Sequence, residues 1–155
     1  MIYYLRNIKQ GIGNLFLWLS VIWNDRWWDH YYLFKILRFK LGLMEKLFRK
    51  HGHHVNAEED ARDMKVCCDI LDRLIADKYA EVAHKEHISK WGEIDMKVES
   101  NGKVDITRPN VKTDEDKELE RKEFMECCKV EDQLEVDDIN ELFEIITKNV
   151  RKWWD

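Results

Sequence analysis

Apolar residues recur along this chain at alternating intervals of three and four in three segments. Leu5, Ile8, Ile12, Leu15, Leu19 and Ile22 form the first run; Phe34, Leu37, Leu41, Met44 and Phe48 the second; Ala61, Met64, Cys68, Leu71 and Ile75 the third. That spacing gathers one side chain per turn into a stripe and predicts amphipathic helices, each with a face to bury. The first is expected to be a core helix, with attachment to a membrane surface as its alternative. The second should run from about Trp28 to Lys50 and stop at Gly52. The third should begin at the Asn56/Glu59 capping pattern and extend to about Ala83.

The pattern changes over residues 88–112. Ile94, Met96 and Val98 alternate with charged residues, and after Ser100-Asn101-Gly102 the alternation resumes at Val104 and Ile106. Period two on both sides of Asn-Gly predicts a β-hairpin, with a long loop as the alternative. A further helix should start at Thr113, with Asp114, Glu115 and Asp116 in its first turn. A last one should be capped by Asp137 or Asp138 and bury Ile139, Leu142, Phe143, Ile146 and Val150. The expected fold is mainly α: one domain over 1–155, a bundle of about five helices with a small hairpin or loop near 91–107.

Composition agrees with this picture. One proline and six glycines in 155 residues leave few helix breakers. The net charge of −5 hides an asymmetry: residues 1–55 hold nine Lys/Arg against three Asp/Glu, and the remaining 17 and 28 fall in 56–155. The two halves could attract each other on packing, or the N-terminal half could hold an anionic ligand. Neither half has the strongly cationic face that duplex DNA requires. Arg6 and Lys9 before the apolar run 15–23 resemble a signal peptide. Ser20 interrupts the run, however, no small-residue cleavage site follows, and it is too short to span a bilayer. The cysteines lie in adjacent pairs, Cys67-Cys68 and Cys127-Cys128, without chelating spacing. They read as reduced, structural and metal-free; a zinc site joining Cys67 or Cys68 to His51, His53 or His54 is the weaker alternative.

The candidate site is the segment Trp23 to Tyr32, where Trp23, Trp27, Trp28, Tyr31 and Tyr32 stand among Asp25, Arg26, Asp29 and His30. Rings stack on planar ligands and charges orient them. Trp153-Trp154-Asp155 repeats the Trp-Trp-Asp of residues 27–29, and its indoles either plug the helix ends or share a pocket with Trp27 and Trp28. The ligand-binding set is therefore Arg26, Trp27, Trp28, His30, Lys35, Arg38, Trp153 and Trp154. The indoles would stack a base, and Arg26, Lys35 or Arg38 would meet phosphate. The structural alternative is that Asp25 and Asp29 pair with Arg26 to hold the turn. No GxSxG, P-loop, HExxH or dinucleotide glycine pattern is present, so no catalytic residues, metal or cofactor are assigned and the protein reads as non-enzymatic.

Trp23-Asn24-Asp25-Arg26-Trp27-Trp28-Asp29, the Tyr32–Leu41 helix, Asn110-Val111-Lys112-Thr113 and the terminal Trp-Trp-Asp together resemble a group of small proteins encoded by tailed bacteriophages. The group's pattern departs at Trp27, where a smaller or acidic residue is expected. The motifs mark the group and disclose no chemistry. The resemblance implies a phage accessory protein acting in the host bacterial cytoplasm. On that setting the expected function is sequestration of a small anionic, nucleotide-like ligand, such as a host immune signal; the alternative is a module that binds a host or phage protein through the aromatic cluster. The abundance of aromatics further suggests a homo-oligomer.

Overall fold

The computed structural model describes residues 2–52, 55–98, 102 and 104–153. Its elements are α1 (Ile2–Ile22), α2 (His30–His51), α3 (Ala57–Ala76), α4 (Tyr79–Ala83), α5 (Lys85–Trp91), β1 (Asp95–Val98), β2 (Val104–Thr107) and α6 (Asp114–Asn149). The fold is mainly α with one small antiparallel hairpin. His53, His54, Asn101 and Trp154 lie outside the described residues, and with them part of the expected His-Gly-His-His turn and of the Asn-Gly turn.

Two helix boundaries differ from expectation, each for a local reason. The third helix ends at Ala76 rather than near Ala83, because Asp77 adopts a left-handed backbone (φ 48°) that stops helical propagation. The short helices α4 and α5 follow. The two expected C-terminal helices are one continuous α6. Asp137 and Asp138 do not cap a new helix there: Asp137 accepts from Gln133 Nε2 at 2.7 Å, and Asp138 accepts from the Tyr79 hydroxyl at 2.6 Å. With both carboxylates engaged from the side, and no glycine or proline between 113 and 149, nothing interrupts the ladder. The start of α6 is as expected. The Thr113 hydroxyl accepts from the Asp116 N–H at 3.0 Å, and the Asp116 carboxylate accepts from the Thr113 N–H at 2.9 Å. This reciprocal cap holds the Asp116 carboxyl below its ordinary value.

The chain forms two compact units, Met1–Ala76 with Glu141–Asp155, and Asp77–Asn140. In the first, Phe34, Leu41 and Phe48 of α2 and Ala61, Met64, Cys67, Cys68, Ile70, Leu71 and Leu74 of α3 are buried, as are Leu142 and Trp153. The 3-4 stripes of the second and third helices thus supply the core.

The first helix does not behave as a core helix. Leu5, Ile8, Ile12, Leu15, Leu19 and Ile22 are 36–62% exposed. What α1 turns inward is Trp18, half-buried and edge-on to Phe39 of α2 with ring centres 5.0 Å apart, together with half-buried Val21. At about 100° per residue, these two lie roughly 90–150° around the helix from the centre of the stripe. The apolar face therefore points to solvent.

In the second unit, β1 and β2 pair Met96 with Ile106 and Val98 with Val104. These four side chains share one exposed face. Trp91, His84, His87 and Arg108 are the buried residues here. Gly92 follows α5 with φ 84°, and a Cβ placed on it would stand 2.4 Å from Pro109 Cγ, so the chain closes on itself only because position 92 has no side chain.

Candidate functional site

Two of the candidate ligand residues meet in the first unit. Lys35 and Arg38, one turn apart on α2, line an open cavity of about 400 Å³ with Ser20, Val21, Asn24, Tyr32, Phe39, Asp72 and Ile75. The Lys35 ammonium sits 4.3 Å from the Tyr32 ring centre, a cation–π contact. Arg38 is held in a fork by Asp72 of α3, Nε to Oδ1 and Nη2 to Oδ2, both at 2.9 Å. That hydrogen bond raises the guanidinium above its ordinary pKa. An incoming anion would have to compete with Asp72 for this cation, because the fork is the geometry a phosphate would use. Asp72 was not singled out in the sequence. Its placement one α3 turn beyond Cys68, beside the second stripe, becomes meaningful only once α2 and α3 are packed.

The aromatic segment contributes Asn24 and Tyr32 to this cavity's lining, and its indoles do not line it. Trp23, Trp27 and Trp28 are 75%, 88% and 68% exposed, and Trp27 meets Trp28 edge-to-face at 5.3 Å. His30 stacks on Tyr31 at 4.5 Å and lies edge-on to buried Phe34 at 6.0 Å. Asp29 does not pair with Arg26; it is the N-cap of α2, and its carboxylate accepts from the Tyr31 N–H at 3.0 Å. Arg26 reaches the carbonyl of Asp25, at 3.5 Å. The first turn of α2 therefore already carries an anion of its own, which occupies the Tyr31 donor and would repel a phosphate there.

Trp153 is 4% exposed, and its Nε1 meets no hydrogen-bonding partner among the described residues. It serves as the packing plug of the C-terminus and does not stand with the open indoles of residues 27–28 as one stacking surface. Cys67 and Cys68 are buried free thiols. Among the described residues, no three His, Cys, Asp or Glu side chains are placed to share a metal ion.

The second unit contains a polar cluster that the sequence did not reveal. Arg108 Nε donates to Glu120 Oε1 at 2.7 Å and its Nη1 to the Gly92 carbonyl at 2.6 Å, and the guanidinium lies 5.8 Å from the Phe124 ring centre. His87 Nε2 stands 3.5 Å from the same Glu120 oxygen. Glu123 accepts from Lys90 Nζ and Trp91 Nε1, both at 2.6 Å, which holds its carboxyl below the ordinary range. His84 Nε2 lies 3.1 Å from Glu131 Oε2. A cavity of about 560 Å³ beside this cluster is lined by Ile94, Ile106, Thr107, Arg108, Val111, Lys117, Glu120 and Phe124. Arg108, His84 and His87 each face a carboxylate of α6, so the network ties α5 and the end of β2 to α6. The only advance signal was Arg108 beside the chain's single proline.

Compared with protein-family models, curated proteins and solved structures, the chain matches none.

Proposed function

We propose that this is a non-enzymatic docking protein that works through the outward face of α1 and the aromatic turn that follows it. One observation carries the reading: α1 is covered only near its C-terminal end, at half-buried Trp18 and Val21, while residues 4–17 are all exposed and the regular apolar stripe stays open over its whole length. Monomeric soluble proteins rarely expose contiguous apolar patches of that extent unless something covers them in use. In the phage setting that the sequence resemblance implies, the docking would serve an accessory role in the host cytoplasm. An environment-sensitive fluorophore attached at Ile12→Cys tests this. Its emission should shift to that of a dry environment in concentrated protein, with cell extract or with isolated membranes. Water-like emission under all three conditions would end the docking reading.

A second reading has its own observation. Lys35, Arg38, Tyr32 and Phe39 around one cavity provide two cations and two rings, which suits a small nucleotide-like anion. Sequestering such a ligand would displace the Arg38–Asp72 fork. A nucleotide panel read by thermal shift, with Lys35→Ala as control, decides it: a shift that survives Lys35→Ala, or no shift at all, rejects this site.

A further inference from the structure

We propose that α1 docks on an anionic lipid bilayer, lying flat in the headgroup region with its apolar face down; this rests on the docking reading and names its partner.

The face has the shape that such a surface requires. At about 100° per residue, Leu5, Ile8, Ile12, Leu15, Phe16, Leu19, Ile22 and Trp23 fall within an arc of roughly 120°. All eight are exposed, Phe16 the most among the aliphatic and phenyl side chains at 71%. Arg6, Asn7, Gln10, Asn14 and Ser20 lie outside that arc, and Lys9 sits at its edge. A helix so divided lies in an interface rather than crossing it. No described helix is long and apolar enough to cross a membrane.

The charge fits as well. Residues 1–24 contain Arg6 and Lys9 and no Asp or Glu, in a chain whose overall balance is −5. Lys9 at the border of the apolar face complements acidic headgroups, which attract each Lys or Arg held near the surface, and Arg6, further round the helix, adds a weaker attraction of the same sign. Both ends of the face carry rings of the type that settles at the water–lipid boundary: Tyr4 near the start, and Trp23, Trp27 and Trp28 at the end, all exposed. An indole buries its ring in the acyl boundary and leaves its N–H among the headgroups.

A second copy of α1 is a poorer match for the same face. If Leu5 and Ile8 begin an a/d seam, the flanking positions are Lys9, Phe16 and Trp23 on one side and Tyr4, Gly11 and Trp18 on the other. No acid is available to pair with Lys9, and Trp18 is already committed to Phe39. Gly11 and Gly13 add a further point. A Cβ at either would meet nothing within 4 Å, so neither glycine is required by packing, and each lowers the helix's own propensity. Contact with a surface along the whole stripe compensates for that.

The test is co-sedimentation of the full chain with vesicles of phosphatidylcholine alone and of phosphatidylcholine with phosphatidylglycerol. The wild type should pellet with the anionic vesicles and bind the neutral ones about tenfold more weakly, as expected for Lys9 near the surface with a smaller contribution from Arg6. Its tryptophan emission should shift to the blue on binding. Ile12→Asp with Leu15→Asp should abolish pelleting while the melting temperature stays near wild type, since both positions are exposed. If that pair lowers the melting temperature, Leu5→Ser with Phe16→Ser replaces it. Lys9→Glu should erase the preference for anionic vesicles. Failure of the wild type to pellet with anionic vesicles, or pelleting that persists in the folded face variants, overturns the proposal. Light scattering then separates the levels. A wild type that ignores vesicles but forms a dimer, which the same variants return to 18.9 kDa, overturns the lipid assignment and leaves the docking reading standing with a second copy. A wild type that ignores vesicles and stays monomeric overturns the lipid assignment with no alternative occupant.

Discussion

α1 and α3 carry the same spacing of apolar residues and meet opposite fates. In α3 the side chains of Ala61, Met64, Cys68 and Leu71 are almost wholly excluded from solvent; in α1 the six residues of the stripe all remain open. The difference lies in what each helix faces. α3 and α2 present stripes to each other and lock them with the Arg38–Asp72 fork, whereas α1 meets α2 through Trp18 and Val21. Periodicity therefore states that a helix has two sides and is silent on whether the partner of the apolar side belongs to the same chain.

Substitutions can break or sharpen this contrast. The largest effect should come from α3: Leu71→Ala removes a fully buried side chain and should cost about 3 kcal/mol in chemical denaturation. Leu15→Ala on α1 should be nearly neutral. Equal costs would show that the α1 face is covered in solution, and the contrast would collapse.

The next effect is a pH dependence confined to the α3 side. Burial pushes the Cys67 thiol up to about 12 from its ordinary 9.0. Between those values the unfolded thiol loses its proton while the native one keeps it, so the native state holds more protons and stability falls as pH rises. The slope should approach 1 kcal/mol per pH unit above pH 9, on the order of the linkage for one proton, with full stability below. Cys67→Ala should reduce it, leaving the contribution of Cys68, whose thiol burial also raises; a slope unchanged in that variant would reject the assignment.

Smaller still is the link between α2 and α3. Asp72→Asn should cost roughly 0.5 kcal/mol, because both partners of the fork are partly exposed to solvent and exposed ion pairs contribute little. A loss of several kcal/mol would mean that the fork organises the pair of helices rather than trimming its edge. The smallest change is expected where the sequence alone would have placed a large one: Leu15→Asp should move stability by no more than about 0.5 kcal/mol, as for an ordinary surface position. Guanidinium midpoints for the two proteins compared side by side provide the check.

Much of the fold was legible because helices α2 and α3 and the hairpin write their periods directly into the chain, and because Thr113 and Asp116 carry a local capping signal. The join within α6 was not legible. Asp137-Asp138 is a good cap locally, and only Tyr79, distant in sequence, together with Gln133 turns those carboxylates sideways. The candidate site was half legible. Lys35 and Arg38 share a helix face and could be paired from spacing alone, but Asp72 reaches them only through tertiary packing. Asp29 looked like a partner for Arg26 because the two are neighbours; in the fold, the unsatisfied donors of α2 take its carboxylate first. The charge cluster around Arg108 was invisible because its members come from residues 84 to 131, with no motif spacing to join them.

The meeting of Gly92 and Pro109 has a consequence for how this sequence can drift. Pro109 can be replaced without harm to position 92, since removing the ring only opens space. Any side chain at 92 must displace that ring and also adopt a positive φ that L residues avoid. The dependence runs one way: among descendants of this chain, position 109 should vary while 92 stays fixed, and a non-glycine at 92 should arise only after the proline has been lost, still bearing its backbone penalty.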